Sequence, residues 1–108
     1  MRLGIVGGAL QGMEAAYLAK HAGMTSVVMD RRPDAPALSM ADEKAVVDPV
    51  KDPEAARDIL CRCDAVIPAC ENMDLLLALE RILYRTGTPL LFDTESYRTS
   101  CSKEASNR

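Results

Sequence analysis

The stretch VGGALQG, residues 6–12, follows a short apolar run, Leu3 to Val6, and precedes an alanine-rich segment. A glycine turn between a strand and a helix lets backbone N–H groups approach a phosphate or a carboxylate, helped by the positive end of the helix dipole. A dinucleotide-binding fingerprint places glycine at its first, third and sixth positions. Gly7 and Gly12 fill the outer two, but Ala9 holds the middle one, where a pyrophosphate has to meet bare backbone. Asp30 follows at about the distance of the acid that takes a ribose hydroxyl in that fingerprint, while Arg31 and Arg32 beside it suit a phosphate. The same glycines also serve a tight strand-to-helix turn that holds no ligand. Without the central glycine both readings stay open.

A second group of polar residues is Cys70-Glu71-Asn72-Met73-Asp74. Glu71 and Asn72 open a helix, where free N–H groups favour acidic and amide side chains, so capping accounts for them. As ligand-binding groups, Glu71 would suit an ammonium, and Asn72 both donates and accepts hydrogen bonds. Asp93 to Tyr97 repeats this arrangement after the last strand, with Asp93 as a cap. His21 lies near the end of the first helix, where its cationic form complements the dipole, and takes no catalytic role. Cys61, Cys63, Cys70 and Cys101 read as reduced thiols, and the Cys61-Arg62-Cys63 spacing is not that of a zinc site. No metal site is expected. Neither a phosphate loop ending in Gly-Lys-Ser/Thr nor a Gly-x-Ser-x-Gly elbow is present, and no residue is assigned to catalysis.

These groups need a frame. Leu3 to Val6 reads as a strand, and Met13 to Ala22 as a helix with Ala15, Leu18, Ala19 and Ala22 in one apolar stripe, stopped by Gly23. Thr25 to Met29 is a strand ending on Asp30, and Arg31 to Ala41, with Pro33 and Pro36, is a loop. Ala45 to Val47 is a short strand; Asp52 with Pro53 caps a helix that buries Ala56, Ile59, Leu60 and Cys63. Ala65 to Ile67 is a strand, Asp74 to Arg85 a helix with a broad leucine and isoleucine stripe, and Leu90 to Phe92 a last strand. Strand–helix alternation of this kind predicts an α/β, Rossmann-like open parallel sheet of about five strands with helices on both faces. Ligands of such sheets bind beyond the carboxyl ends of the strands. That rule selects Gly7 to Gly12, Asp30 with Arg31, Pro68 to Asn72, and Asp93 to Tyr97 as neighbours on one rim.

The chain has 108 residues, 48% hydrophobic and 27% charged, with a formal charge of −3. That length suits one globular domain. The acidic balance, and the absence of Trp beside three Tyr and one Phe, argue against a nucleic-acid partner. No apolar run is long enough for a bilayer or a secretory signal, so no membrane partner and a cytoplasmic location are expected.

Taken in order, Val6-Gly7-Gly8, Leu10-Gln11-Gly12, Glu14-Ala15-Ala16-Tyr17-Leu18, Ala22-Gly23-Met24, Asp30, Ala41-Asp42-Glu43, Glu71-Asn72, Leu91-Phe92-Asp93, Tyr97-Arg98 and Ser100 carry a resemblance over nearly the whole chain. The chain resembles the N-terminal, pre-ATP-grasp domain of the PylC family, the pyrrolysine-biosynthesis ligases of the ATP-grasp superfamily. It departs from the family at Cys70, where an amide residue is expected, and after Ser100. The resemblance implies ATP-dependent amide formation, in which the carboxylate of 3-methyl-D-ornithine becomes an acyl phosphate and the side-chain amine of L-lysine attacks it. It also implies that residues 1–100 form the pre-ATP-grasp domain and that 101–108 begin a linker. The ATP grip, the magnesium carboxylates and the lid would then lie in a following domain, and this chain alone would be inactive. Gly7, Gly8, Leu10, Gln11, Gly12, Asp30, Glu71 and Asn72 would bind substrate or nucleotide. An apolar face turned toward that further domain would let the chain self-associate as a homo-oligomer. Two other classes compete: a nicotinamide-dependent oxidoreductase domain, which must tolerate Ala9, and a non-catalytic amino-acid-binding module.

Overall fold

The computed structural model describes residues 1–70 and 72–91. Its elements alternate as expected: β1 (Arg2–Val6), α1 (Leu10–His21), β2 (Thr25–Asp30), a 3-10 helix (Pro36–Met40), β3 (Glu43–Val46), α2 (Pro53–Leu60), β4 (Ala65–Pro68) and α3 (Met73–Tyr84). The four strands form one parallel sheet in the order β3-β2-β1-β4. Chain order therefore runs outward from β1 in one direction to β3, then returns to place β4 on its other side. This reversal opens a crevice at the carboxyl end of β1, the usual ligand position in open α/β sheets.

Period-two alternation along the strands divides the core between two faces. Val6, Val27, Met29 and Val66 point to the side covered by α2 and α3, where they meet Ala56, Leu60, Leu79, Ile82 and Leu83. Ile5 and Val28 point the other way and pack with Ala16 of α1 and with Ala35, Ala37 and Leu38. Each fully buried leucine or isoleucine contributes about 1.5–3 kcal/mol by leaving water, so the two clusters supply the driving force for the layered form.

The helix ends follow from local chemistry. Asp52 accepts a hydrogen bond from the Ala55 N–H (3.3 Å) at the start of α2, with Pro53 in the first turn, as its sequence position predicts. Helix α1 ends when Met24 N–H donates to Ala19 O (2.9 Å) and Gly23 N–H to Lys20 O (3.1 Å). That pairing needs a left-handed residue at Gly23, which has φ +74°.

Three details differ from the sequence reading. Helix α1 begins at Leu10 instead of Met13, and it buries Gly12, Ala16 and Ala19 while Leu18 is 65% exposed. The stripe therefore runs through the small residues, because small side chains bring a helix close to its sheet. The segment 31–41 contains the 3-10 helix, whose Ala37 and Leu38 are buried against α1 and β2. Prolines hid this turn, since one 3-10 turn is too short to show a period. Finally, among the described residues the sheet has four strands where about five were expected: Leu90 makes a single parallel bridge to Val66, and Phe92 onward lies outside the described residues.

Candidate functional site at the strand rim

Val6 ends β1 with its carbonyl accepting from Ala69 N–H (2.7 Å), while Gly7 N–H donates to Met29 O (2.8 Å). Gly7 has φ +119°, and a side chain there would also meet Ala69 O at 2.7 Å. The turn thus threads between the ends of β2 and β4. Gly12 fits the helix to the turn by space alone, since an added Cβ would lie 2.0 Å from Gly7 O. A Cβ on Gly8 would lie 2.7 Å from Ala35 Cβ, and Gly8 O accepts from Ala37 N–H (2.8 Å). Much of the glycine content therefore serves contact between the turn, α1 and the segment 35–37.

Asp30, at the carboxyl end of β2, closes the arrangement. Its Oδ2 accepts from Gly8 N–H at 2.6 Å and its Oδ1 from Arg32 N–H at 2.8 Å, with Arg32 Nε 3.5 Å away. One carboxylate joins the ends of β1 and β2 and fixes the direction of the basic pair. A negative charge on the Gly8 N–H repels any phosphate seeking the same donor.

Beyond this clamp lies a cavity of about 450 Å³. Gly7, Asp30, Arg31, Arg32, Cys70 and Asn72 line it, joined by Asp48 to Lys51, Asp74 and Leu75. Of the residues selected from the sequence, Gly7, Asp30 and Asn72 come together here, with Arg31 and Cys70 beside them. Gly8 is buried behind the clamp, Gly12 is buried against the Gly7 carbonyl and Ala37, and Gln11 is exposed on α1. Leu10 lies elsewhere, with Met13, Tyr17, Leu18 and Met40 around a shallow apolar depression. Glu71 and Asp93 to Tyr97 lie outside the described residues. His21 stands at the far end of α1, its ring 4.4 Å from that of Tyr17.

Asn72 has a structural task in the same place: its Oδ1 accepts from Leu75 N–H (3.2 Å) as the N-cap of α3. Burial pushes the Cys70 thiol above its ordinary pKa, with the nearby Asp30 carboxylate acting the same way and the backbone of Asn72 opposing it. The thiol is thus a neutral wall of the cavity. Cys61, Cys63 and Cys70 are all free.

The turn Asp48 to Lys51 was not singled out from the sequence. It follows β3, and the rim rule applied to that strand would have found it. Asp48 organises the turn by accepting from Val50 N–H (3.0 Å), and Asp52 N–H donates back to Asp48 O (2.8 Å). The cavity wall then carries Arg31, Arg32 and Lys51 as cations and Asp30, Asp48 and Asp74 as carboxylates. A ligand with both charges, such as an amino acid, matches such a wall better than a polyphosphate does. Among the described residues no group of three His, Cys, Asp or Glu side chains is placed to hold a metal ion, and no helix is long and apolar enough to cross a membrane.

The family model described as PylC-like, N-terminal domain, matches residues 3–91. The chain belongs to this family. Among PylC-like relatives, the 3-methyl-D-ornithine–L-lysine ligase of Methanosarcina barkeri is 44% identical over 102 residues, covering 94% of this chain and 28% of the ligase. The chain therefore spans little more than a quarter of that relative's length. Among solved structures, N5-carboxyaminoimidazole ribonucleotide synthetase from Thermotoga maritima is similar with a TM-score of 0.71 and 30% identity, over 82% of this chain and 24% of that one. The Staphylococcus aureus N5-carboxyaminoimidazole synthetase, solved in complex with ADP, has a TM-score of 0.65 and 26% identity, over 82% and 23%. The PylC-like domain thus has the Rossmann-like, pre-ATP-grasp form that the resemblance implied.

Proposed function

We propose that this chain is the N-terminal substrate-presenting domain of a cytoplasmic, ATP-dependent carboxylate–amine ligase that joins 3-methyl-D-ornithine to the side-chain amine of L-lysine. The observation that carries this reading is the similarity to the Methanosarcina barkeri ligase over nearly the whole chain. The rim cavity supports it by offering both cations and carboxylates in one lining. In this reading Arg31, Arg32 or Lys51 takes the carboxylate of the amino acid, and Asp74 with Glu71 takes an ammonium. Asn72 holds the mouth of the cavity through its cap.

ATP and magnesium belong, on the same reading, to the remaining domains, joined to residues 1–100 through 101–108. The described residues do not fit either group: Asp30 already occupies Gly8 N–H, and no set of metal ligands is assembled. The nicotinamide reading receives no support from the relatives, since the Methanosarcina barkeri protein matched over 94% of this chain is named a ligase.

A chimaera tests the function. Residues 1–100 of this chain replace the matching segment of the Methanosarcina barkeri ligase, and amide formation from 3-methyl-D-ornithine and lysine is followed by mass spectrometry. Retained product formation supports the reading; a folded, ATP-hydrolysing chimaera that makes no amide from these two amino acids overturns it.

A further inference from the structure

A second cavity, of about 320 Å³, lies between α2 and α3. Arg57 of α2 faces Arg81 of α3 and Arg85, the C-cap residue of that helix, across it, over a floor that includes Pro49, Ala78 and Ile82. Residues 78, 81, 82 and 85 repeat at helical spacing, so one face of α3 presents two guanidinium groups on an apolar base. Arg57 comes no closer than 3.9 Å to the carboxylate of its neighbour Asp58. Among the described residues Arg81 and Arg85 form no ion pair. Among the described residues Glu54 is the one carboxylate in the lining and Asp58 pairs with Arg57, so Arg81 and Arg85 are the two cations of the groove without an ion pair.

Like charges gathered on one wall repel one another, and a chain with formal charge −3 has carboxylates enough to neutralise them elsewhere. We propose that this groove is a binding site for a phosphate monoester with a compact apolar body. Guanidinium forks match phosphate oxygens in paired hydrogen bonds. A monoester near neutral pH carries close to two negative charges, one for each of the Arg81 and Arg85 guanidinium groups. The apolar floor covers the organic part of the ester, which inorganic phosphate lacks. Three arginines on an acidic domain are too few for a nucleic acid. Pro49 and Val50 border both cavities, so the groove adjoins the candidate substrate site without sharing its charged residues.

Phenyl phosphate is the probe. It is titrated into the 108-residue chain at low ionic strength, and backbone amide and arginine Nε shifts are read by NMR, with inorganic phosphate as comparison. Saturable shifts are expected at Arg57, Ala78, Arg81 and Arg85, with phenyl phosphate binding about tenfold more tightly than inorganic phosphate. Arg81→Gln and Arg85→Gln should each weaken binding about tenfold or more at an unchanged melting temperature, and Arg62→Gln, at an exposed position outside the groove, should not. Shifts that rise linearly without saturating overturn the proposal. So does saturation centred on Arg31, Arg32 and Lys51, or an affinity indifferent to Arg81 and Arg85.

Discussion

The N–H of Gly8 donates to Asp30 Oδ2 over 2.6 Å, a bond between residues 22 positions apart that ties the carboxyl ends of β1 and β2 together. Both oxygens of this carboxylate serve backbone N–H groups, so Asp30 works as a brace beneath the cavity. Replacing it by asparagine keeps the shape but removes the charge from two hydrogen bonds and presents an amide N–H to one of the donors. Asp30→Asn is expected to cost about 1.5–3 kcal/mol, seen as a lower midpoint in urea unfolding at unchanged slope. A midpoint equal to that of the parent chain would show that the bond is not a brace.

Gly12 and Gly23 separate two reasons for glycine. An added Cβ at Gly12 meets Gly7 O at 2.0 Å, whereas at Gly23 nothing lies within 4 Å and only the backbone angle, φ +74°, disfavours a side chain. Gly12→Ala should therefore cost more than about 3 kcal/mol or prevent folding, and Gly23→Ala about 1 kcal/mol. Thermal melts of the two variants check the order, and equal losses would contradict it.

Asn72 caps α3, while its neighbour Glu71 is proposed to take a substrate ammonium. Asn72→Ala should lose about 0.5–2 kcal/mol of stability, and Asn72→Asp much less, because aspartate caps equally well. Glu71→Ala in an intact ligase should instead raise the KM for the amino acid and leave the melting temperature nearly unchanged. If activity holds and the fold weakens, Glu71 is a cap as well.

Cys63 and Cys70 both have thiol pKa values raised by burial, while Cys61 is exposed. In a Cys101→Ser background, a thiol reagent at neutral pH should consume Cys61 first, and Cys63 and Cys70 only slowly. A group that holds its proton more tightly when folded stabilises the fold below the ordinary thiol pKa and loses that contribution as pH rises beyond it. Stability should thus fall on the alkaline side, and Cys70→Ser should reduce that fall. Fast labelling of Cys70 at neutral pH would contradict its neutral state.

Much of the frame was legible from local signals. The pairing of Asp52 with Pro53, the stripe of Leu76, Leu79, Ile82 and Leu83, and the glycine turn each name an element whose physics is contained in a few neighbouring residues. Helix α1 was legible only in outline. Its hydrophobicity is nearly even around the axis, so the buried stripe of Gly12, Ala16 and Ala19 is set by how closely it must approach β1 and β2. The 3-10 turn at Pro36–Met40 was hidden because Ala37 and Leu38 become core only when the turn folds over α1.

For the site, sequence alone determined which residue types were available and that Gly7, Asp30, Arg31 and Asn72 would gather at one rim, because parallel strands all end on the same side. It also carried the family pattern. Only the tertiary structure decided what each does there. Asp30 turns toward Gly8 and becomes a brace, Leu10 and Gln11 leave the cavity with the first turn of α1, and Asp48 to Lys51 arrives from β3 to complete the wall. The reason is one of range: spacing along the chain governs helices and turns, whereas the partner of a carboxylate is set by which strands lie side by side.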